Sequence, residues 1–267
     1  MDDMTHIQIA EHEQASQLDE ELMAALEGPD VDPIQFPWTD AGNALLFVAM
    51  FGENVRYVEP WKNWLVWDGA RWVITSDTKM LPLARKATEY MFTWATTLPE
   101  DRRAALRRHA LATQKEQRLR AMINIAKGES AIGIAPDRLD ANPMLLGCSN
   151  GTLDLQTGML RPPMREDFIT KSTGVAYNPK SKCPNWLATL CWAMQDDAGS
   201  VEHLQRFAGY LLTGSVIEEK LFAFFGSGAN GKTTVAMMLL DLLGDYASKG
   251  RKDFSSRKAK KELHHQT

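Results

Sequence analysis

Gly226-Ser227-Gly228-Ala229-Asn230-Gly231-Lys232-Thr233 is the stretch whose reading decides the fold. It fits G-x-x-x-x-G-K-[ST], a pattern whose glycines let successive backbone N–H groups curl around phosphate oxygens with no Cβ in the way. Lys232 is placed to reach the β- and γ-phosphates of a nucleoside triphosphate, and the Thr233 hydroxyl to ligate Mg²⁺. Thr234 extends the candidate set on the trailing side. The preceding run Leu221-Phe222-Ala223-Phe224-Phe225 predicts a short buried strand. The following run, Thr234 to Leu243, predicts a helix ended by Gly244 at the C′ position. Strand, glycine loop and helix is the order such a site requires, because the helix N-terminus adds partial positive charge to the phosphate cradle. ATP and Mg²⁺ are therefore the expected cofactors.

The loop helix is unusually apolar. Val235, Met237, Met238, Leu239, Leu240, Leu242 and Leu243 leave few polar positions, so cover on several sides is expected. In a phosphate-loop fold that cover is a parallel sheet, of which Leu221–Phe225 supplies one strand. Leaving these side chains exposed forfeits on the order of 10–20 kcal/mol, against a net domain stability of about 5–15 kcal/mol. Residues 247–267 hold no run of four apolar residues that could form a strand ending in Asp or Glu. The expected architecture is α+β: a mostly helical N-terminal domain with small β-hairpins, then an incomplete α/β P-loop (AAA+-like) ATPase module. A premature stop or frameshift in a longer gene is the expected cause, and ATP turnover by this chain alone is expected to be absent.

The 267 residues are 44% hydrophobic, enough for one large or two modest domains. No apolar run approaches membrane-spanning length and no signal pattern opens the chain, so a soluble cytoplasmic protein with no membrane partner is expected. Cys148, Cys183 and Cys191 form no C-x-x-C pair and read as reduced, buried thiols. The histidines show no metal-binding spacing.

A net charge of −4 hides a polarity along the chain. Residues 1–39 form an acidic arm and linker without Lys or Arg, and residues 249–267 a basic tail. The arm carries one candidate helix, Glu11 to Glu27, before Gly28-Pro29, Pro33 and Pro37 break it. Such an arm could mimic nucleic acid or dock a basic partner, although solvation or disorder is the commoner reading. Residues 40–184 read as a helical and hairpin domain, and residues 185–267 as a helical connector followed by the start of the ATPase module. Asn43 to Phe51 predicts a helix. Trp64-Leu65-Val66-Trp67 and Trp72-Val73-Ile74 predict a hairpin turning at Asp68-Gly69. Trp61, Trp64, Trp67 and Trp72 could stack unpaired bases, but aromatic residues in strands more often pack.

Leu81 to Thr97 and Pro99 to Ala126 predict two helices, the second strongly basic. Arg103 and Arg107 lie at i, i+4 on one face, which suits a phosphodiester backbone, against the alternative of a wet helix face. Asn150 to Leu160 predicts a second hairpin turning at Thr157-Gly158, with Asp154 as an exposed structural carboxylate. Two further helices follow, Asn185 to Met194 and Val201 to Thr213, the second capped by Ser200 and burying Leu204, Phe207, Ala208 and Leu211.

Several of these runs together resemble phage and plasmid primase–helicases. Thr39-Asp40-Ala41-Gly42-Asn43-Ala44, the hairpin Trp64 to Trp72, Asn150-Gly151-Thr152-Leu153-Asp154-Leu155, Cys183-Pro184-Asn185-Trp186 and Leu204 to Gly214 are similar to the N-terminal helical region of that group. Gly226 to Thr233, followed by Leu242-Leu243-Gly244-Asp245-Tyr246, resembles the Walker A segment of its superfamily III helicases, and Asn230 before Gly-Lys suits them. The likeness spans residues 39–247. It implies an ATP-driven, ring-forming DNA helicase acting on single-stranded DNA at the start of replication of a mobile element. The family often carries a primase domain upstream, and continues past the loop helix with a Walker B strand, a sensor strand and an arginine finger, none of which matches here. A second reading is a non-enzymatic module that binds single-stranded DNA or docks on a subunit, and a third is a small-molecule P-loop kinase.

Overall fold

The computed structural model describes residue 26 and residues 28–226, 228 and 230–250. The candidate helix of the acidic arm, most of the basic tail, Ser227 and Ala229 lie outside the described residues. The described residues form an α+β protein with seven α-helices and two three-stranded antiparallel sheets. They divide into two compact units, one ending at Leu139 and one beginning at Asp140, a boundary inside the span 40–184.

The first unit opens with α1 (Asp40–Phe51). Its sequence Thr39-Asp40-Ala41-Gly42-Asn43 is a construction kit for a helix start. Thr39 is the N-cap, its hydroxyl accepting from Gly42 N at 3.1 Å. Gly42 sits against the Pro37 carbonyl, where any Cβ would collide. Asn43, 2% exposed, donates from its amide nitrogen to Thr113 Oγ1 at 3.2 Å and accepts at Oδ1 from His109 Nε2 at 2.8 Å.

Strands β1 (Val55–Val58), β2 (Asn63–Trp67) and β3 (Trp72–Thr75) follow in spatial order β1-β2-β3. The expected hairpin forms, with Trp67 opposite Trp72 and the Asp68 carboxylate accepting from Ala70 N and Arg71 N at 2.7 Å each. Sequence reading misses β1, which pairs Val55 with Val66, and the parallel bridge from Tyr57 to Gly133. Trp64, Trp67 and Trp72 are buried, so packing is their role, whereas Trp61 stays exposed.

Helix α2 (Asp77–Ala95) starts four residues before the expected Leu81. Asp77 accepts from Trp64 Nε1 at 2.9 Å and from Lys127 Nζ at 2.7 Å, so distant side chains hold the first turn in place. The single helix expected over Pro99 to Ala126 is instead two, α3 (Glu100–Thr113) and α4 (Glu116–Ala126), with Lys115 extended between them. Leu106, Ala110 and Thr113 make one buried stripe, and Leu119, Met122, Ile123 and Ala126 another. An unbroken helix would carry the first stripe onto Gln117 and Arg120. The break resets the phase so that both stripes face the core.

In the second unit β4 (Leu145–Cys148), β5 (Gly151–Asp154) and β6 (Met159–Arg161) form a meander. The hairpin β5–β6 is the expected one, while β4 was not foreseen. Asn150 brackets Tyr177, donating to its carbonyl at 3.0 Å and accepting its N–H at 2.9 Å. Asp154 caps the hairpin turn, accepting from Gln156 N at 2.8 Å and Thr157 N at 3.3 Å, and these bonds hold its carboxyl below the usual range. It is structural, as expected.

Helices α5 (Pro184–Ala193), α6 (Ala198–Leu211) and α7 (Lys232–Leu243) complete the unit. Helix α6 starts three residues before Val201, and its N-cap is Asp197, not Ser200. The Asp197 carboxylate takes the N–H groups of Gly199 and Ser200 and the Ser200 hydroxyl as well, so it outcompetes the single oxygen of serine. Leu190, Leu204, Val235 and Leu239 form a small core among the three helices. Cys148 is buried as expected, but Cys183 and Cys191 are exposed, because α5 buries only Leu190.

The strand expected at Leu221–Phe225 is not formed. Leu221 and Phe225 are 93% and 88% exposed, and no other strand among the described residues pairs with the segment. A strand exists through its ladder, and without a neighbour these residues stay irregular.

Candidate functional site

Helix α7 begins as the motif requires and ends at Gly244. Its N-cap, Gly231, has φ 82°, a left-handed conformation that glycine adopts without a Cβ penalty. No side chain caps the helix there and no acidic residue stands in its first turn. Among the described residues no side chain is seen to accept from the first-turn N–H groups, and a helix N-terminus of this kind is a donor set that suits an anion. Gly231 also fits closely against α5: a Cβ there would approach the Ala193 Cβ within 3.2 Å and the Trp192 ring within 3.3 Å.

Lys232 folds back over the loop. Its ammonium donates to the Gly226 carbonyl at 3.0 Å and to the Asn230 carboxamide oxygen. Gly226, with φ 149°, lies so near Asn230 Nδ2 that a Cβ could not be placed between them. The Gly226 and Asn230 oxygens are neutral acceptors, and anionic phosphate oxygens bind an ammonium more strongly. Thr233 and Thr234 are exposed on the first turn, and Gly228 is exposed beside them. The structure therefore brings Gly226, Asn230, Gly231 and Lys232 together, with Thr233 exposed beside them. Among the described residues no group of three His, Cys, Asp or Glu could hold a metal by itself.

The end of α7 is tied to the sheet. Tyr246 Oη accepts from Gly147 N at 2.9 Å and donates to the Lys171 carbonyl at 3.1 Å, and burial pushes its pKa up to about 12. The Asp245 carboxylate accepts from Ser172 N at 3.1 Å. The run Leu242 to Tyr246 is thus an anchor for the helix that carries the loop.

The basic segment is less uniform than its sequence. Arg103 spends its guanidinium locally, donating to the Leu98 carbonyl at 3.2 and 2.9 Å and to Glu100 at 3.1 Å. Arg118 pairs with Asp40 at 3.2 Å and Arg120 with Glu116 at 2.8 Å. Arg102, Arg107 and Arg108 are exposed with no ion-pair partner among the described residues. Of the two arginines singled out by spacing, Arg107 is available to a ligand and Arg103 is largely engaged.

Sequence reasoning missed the clasp of Lys232 by Asn230, and it missed Trp192 beneath Gly231. The first had a readable signal, an amide two residues before the lysine. The second depends on the approach of α5, for which no local pattern exists.

Comparison with known proteins places this chain in context. The family described as "D5 N terminal like" matches residues 44–195, from α1 through α5. A provisionally named helicase of Acanthamoeba polyphaga mimivirus is 30% identical over 110 residues, 40% of this chain and 12% of that protein. A provisionally named primase of African swine fever virus (isolate Tick/Malawi/Lil 20-1/1983) is 33% identical over 117 residues, 42% of this chain and 12% of the relative. The Warthog/Namibia isolate gives the same identity and coverage. The match thus spans about an eighth of the length of these curated relatives.

Proposed function

The chain belongs to the D5 N terminal like family, and from that premise we propose that it is an ATP-binding part of a primase–helicase-type DNA replication protein. The observation that carries the proposal is the loop at the start of α7, with an uncapped helix N-terminus, no first-turn acid and an inward-folded Lys232. In this reading Gly226, Ser227, Gly228, Ala229, Asn230 and Gly231 give the backbone cradle. Lys232 exchanges its two neutral acceptors for β- and γ-phosphate oxygens, and the Thr233 hydroxyl turns to the Mg²⁺ that the nucleotide brings, with Thr234 N–H donating beside it. Bound Mg²⁺ would neutralise phosphate charge. The names of the viral relatives, a helicase and a primase, support replication as the setting. The proposal further takes single-stranded DNA as partner, a ring of identical subunits as the assembly, and the cytoplasm of a bacterial or infected cell as the place of work.

Calorimetry with ATP and Mg²⁺ tests the proposal. Wild-type chain is expected to bind, and Lys232→Ala to bind on the order of 100-fold more weakly, as expected for losing charge-assisted hydrogen bonds to phosphate. Equal affinities would remove the claim.

A second reading, a single-stranded DNA-binding module, is favoured by the three exposed arginines of α3 that have no ion-pair partner among the described residues. Three phosphate contacts by Arg102, Arg107 and Arg108 would give a log–log salt slope of about −2, and Arg107→Ala would make it shallower by about 0.7. Binding that ignores salt would dismiss it.

A further inference from the structure

Beside the loop lies a hollow of about 380 Å³, walled by Met194, Leu204, Phe207, Phe222 and Phe224 with His203 at its edge. Its volume is in the range of small-molecule sites, and its lining is mainly apolar and aromatic, with Asp197 and Ser200 as polar members besides His203. Phe222 rests on Phe207 at 4.0 Å between ring centroids, and its ring is 6.3 Å from that of His203. Despite these contacts Phe222 and Phe224 are each 39% exposed, so both rings keep open surface. The hollow adjoins the loop at two points. Phe224 stands two residues before Gly226, and Met194 follows Ala193, whose side chain lies against Gly231.

We infer that this hollow receives the nucleobase of the triphosphate whose phosphates sit at Gly226–Thr233, an inference that rests on the phosphate-loop reading. A nucleoside triphosphate is anionic at one end and a flat apolar-faced ring at the other. The molecule presents matching chemistry in the same order, amide donors and an ammonium and then aromatic side chains. Recognition is by stacking. Asp197 and Ser200, which also line the hollow, are engaged locally: the carboxylate accepts from Gly199 N, Ser200 N and the Ser200 hydroxyl. Every base offers a π-face, so ATP and GTP are expected to bind within about threefold of each other.

Inorganic tripolyphosphate isolates the loop, because it carries the phosphates and no base. In titrations of the full chain with Mg²⁺, ATP is expected to bind about tenfold or more tighter than tripolyphosphate, as one stacked base contributes. Phe222→Ala and Phe224→Ala should each erode that advantage and leave tripolyphosphate affinity unchanged, while Phe222→Tyr keeps it. Lys232→Ala should weaken both ligands. Equal wild-type affinities for ATP and tripolyphosphate, or parallel loss of both in the phenylalanine variants, would overturn the inference and leave the loop intact. Failure of either ligand to bind wild type, or indifference of both to Lys232→Ala, would sink the loop reading and this inference with it.

Discussion

Two helices of this molecule begin in opposite ways. Helix α1 has Thr39 as a side-chain cap, Asp40 in its first turn and the buried Asn43 three residues further on. Helix α7 has a glycine at its cap, no acid in its first turn and a lysine folded over its entrance. Both starts are rich in residues that the sequence marks as distinctive, yet their chemistry runs in opposite directions. At α1 the N–H groups and the dipole are answered from within the chain, so the motif holds the fold together. At α7 they are left open to a ligand. A distinctive motif is thus a candidate for function only where its hydrogen-bonding capacity is unspent.

The comparison can be broken from either side. Thr234→Glu puts at α7 what Asp40 provides at α1, a negative charge against the helix dipole. It should raise helix stability by a few tenths of a kcal/mol and weaken ATP binding about tenfold through repulsion of the phosphates. Unchanged affinity in calorimetry would mean that the start of α7 is not where phosphate goes. The converse change, Thr39→Ala, should cost about 1 kcal/mol of unfolding free energy in urea and leave ATP affinity alone. A loss of ATP binding there would show that the two starts are not separable in this way.

The smallest effect is in pH. Burial, followed by the positive charge of Arg118, lowers the pKa of His109 below its ordinary 6.5, with Asp40 opposing. Since the folded-state pKa lies below the unfolded one, the unfolded chain takes up more protons in that interval. The contribution of neutral His109 is thus full above 6.5 and declines as pH falls from there through the folded-state value. His109→Gln, whose amide can still donate to Asn43 Oδ1, should flatten the fall in melting temperature between about pH 7 and about pH 5.5. An identical slope in wild type and variant would exclude His109 as its source.

How much could be read in advance varies element by element, for a consistent reason. The hairpin at Asp68-Gly69, the turn at Thr157-Gly158 and the helix from the loop to Gly244 were legible, because each is set by residues within a few positions of one another. The Asp197 cap was equally local but was misassigned to Ser200, since both residue types cap and only geometry shows which carboxylate or hydroxyl faces the free N–H groups. The resemblance motifs were legible as a family signature but not as to role. Asn43 and Asn150 turn out to tie backbone and side chains together, and only Asp154 had its structural role readable beforehand. The aromatic hollow was invisible because Phe207 and Phe222 lie on separate segments that meet only when α6 is in place.

The chain by itself determined its tight turns, the helix that follows the glycine loop and the phosphate-loop pattern, since all of these act across one or two helical turns or a single reversal. Tertiary structure alone decided that β1 and β4 join their hairpins, that residues 100–126 break at Lys115, and that Leu221–Phe225 forms no strand. A ladder or a packed stripe depends on a partner far along the chain, and a segment's own residues do not specify whether that partner arrives.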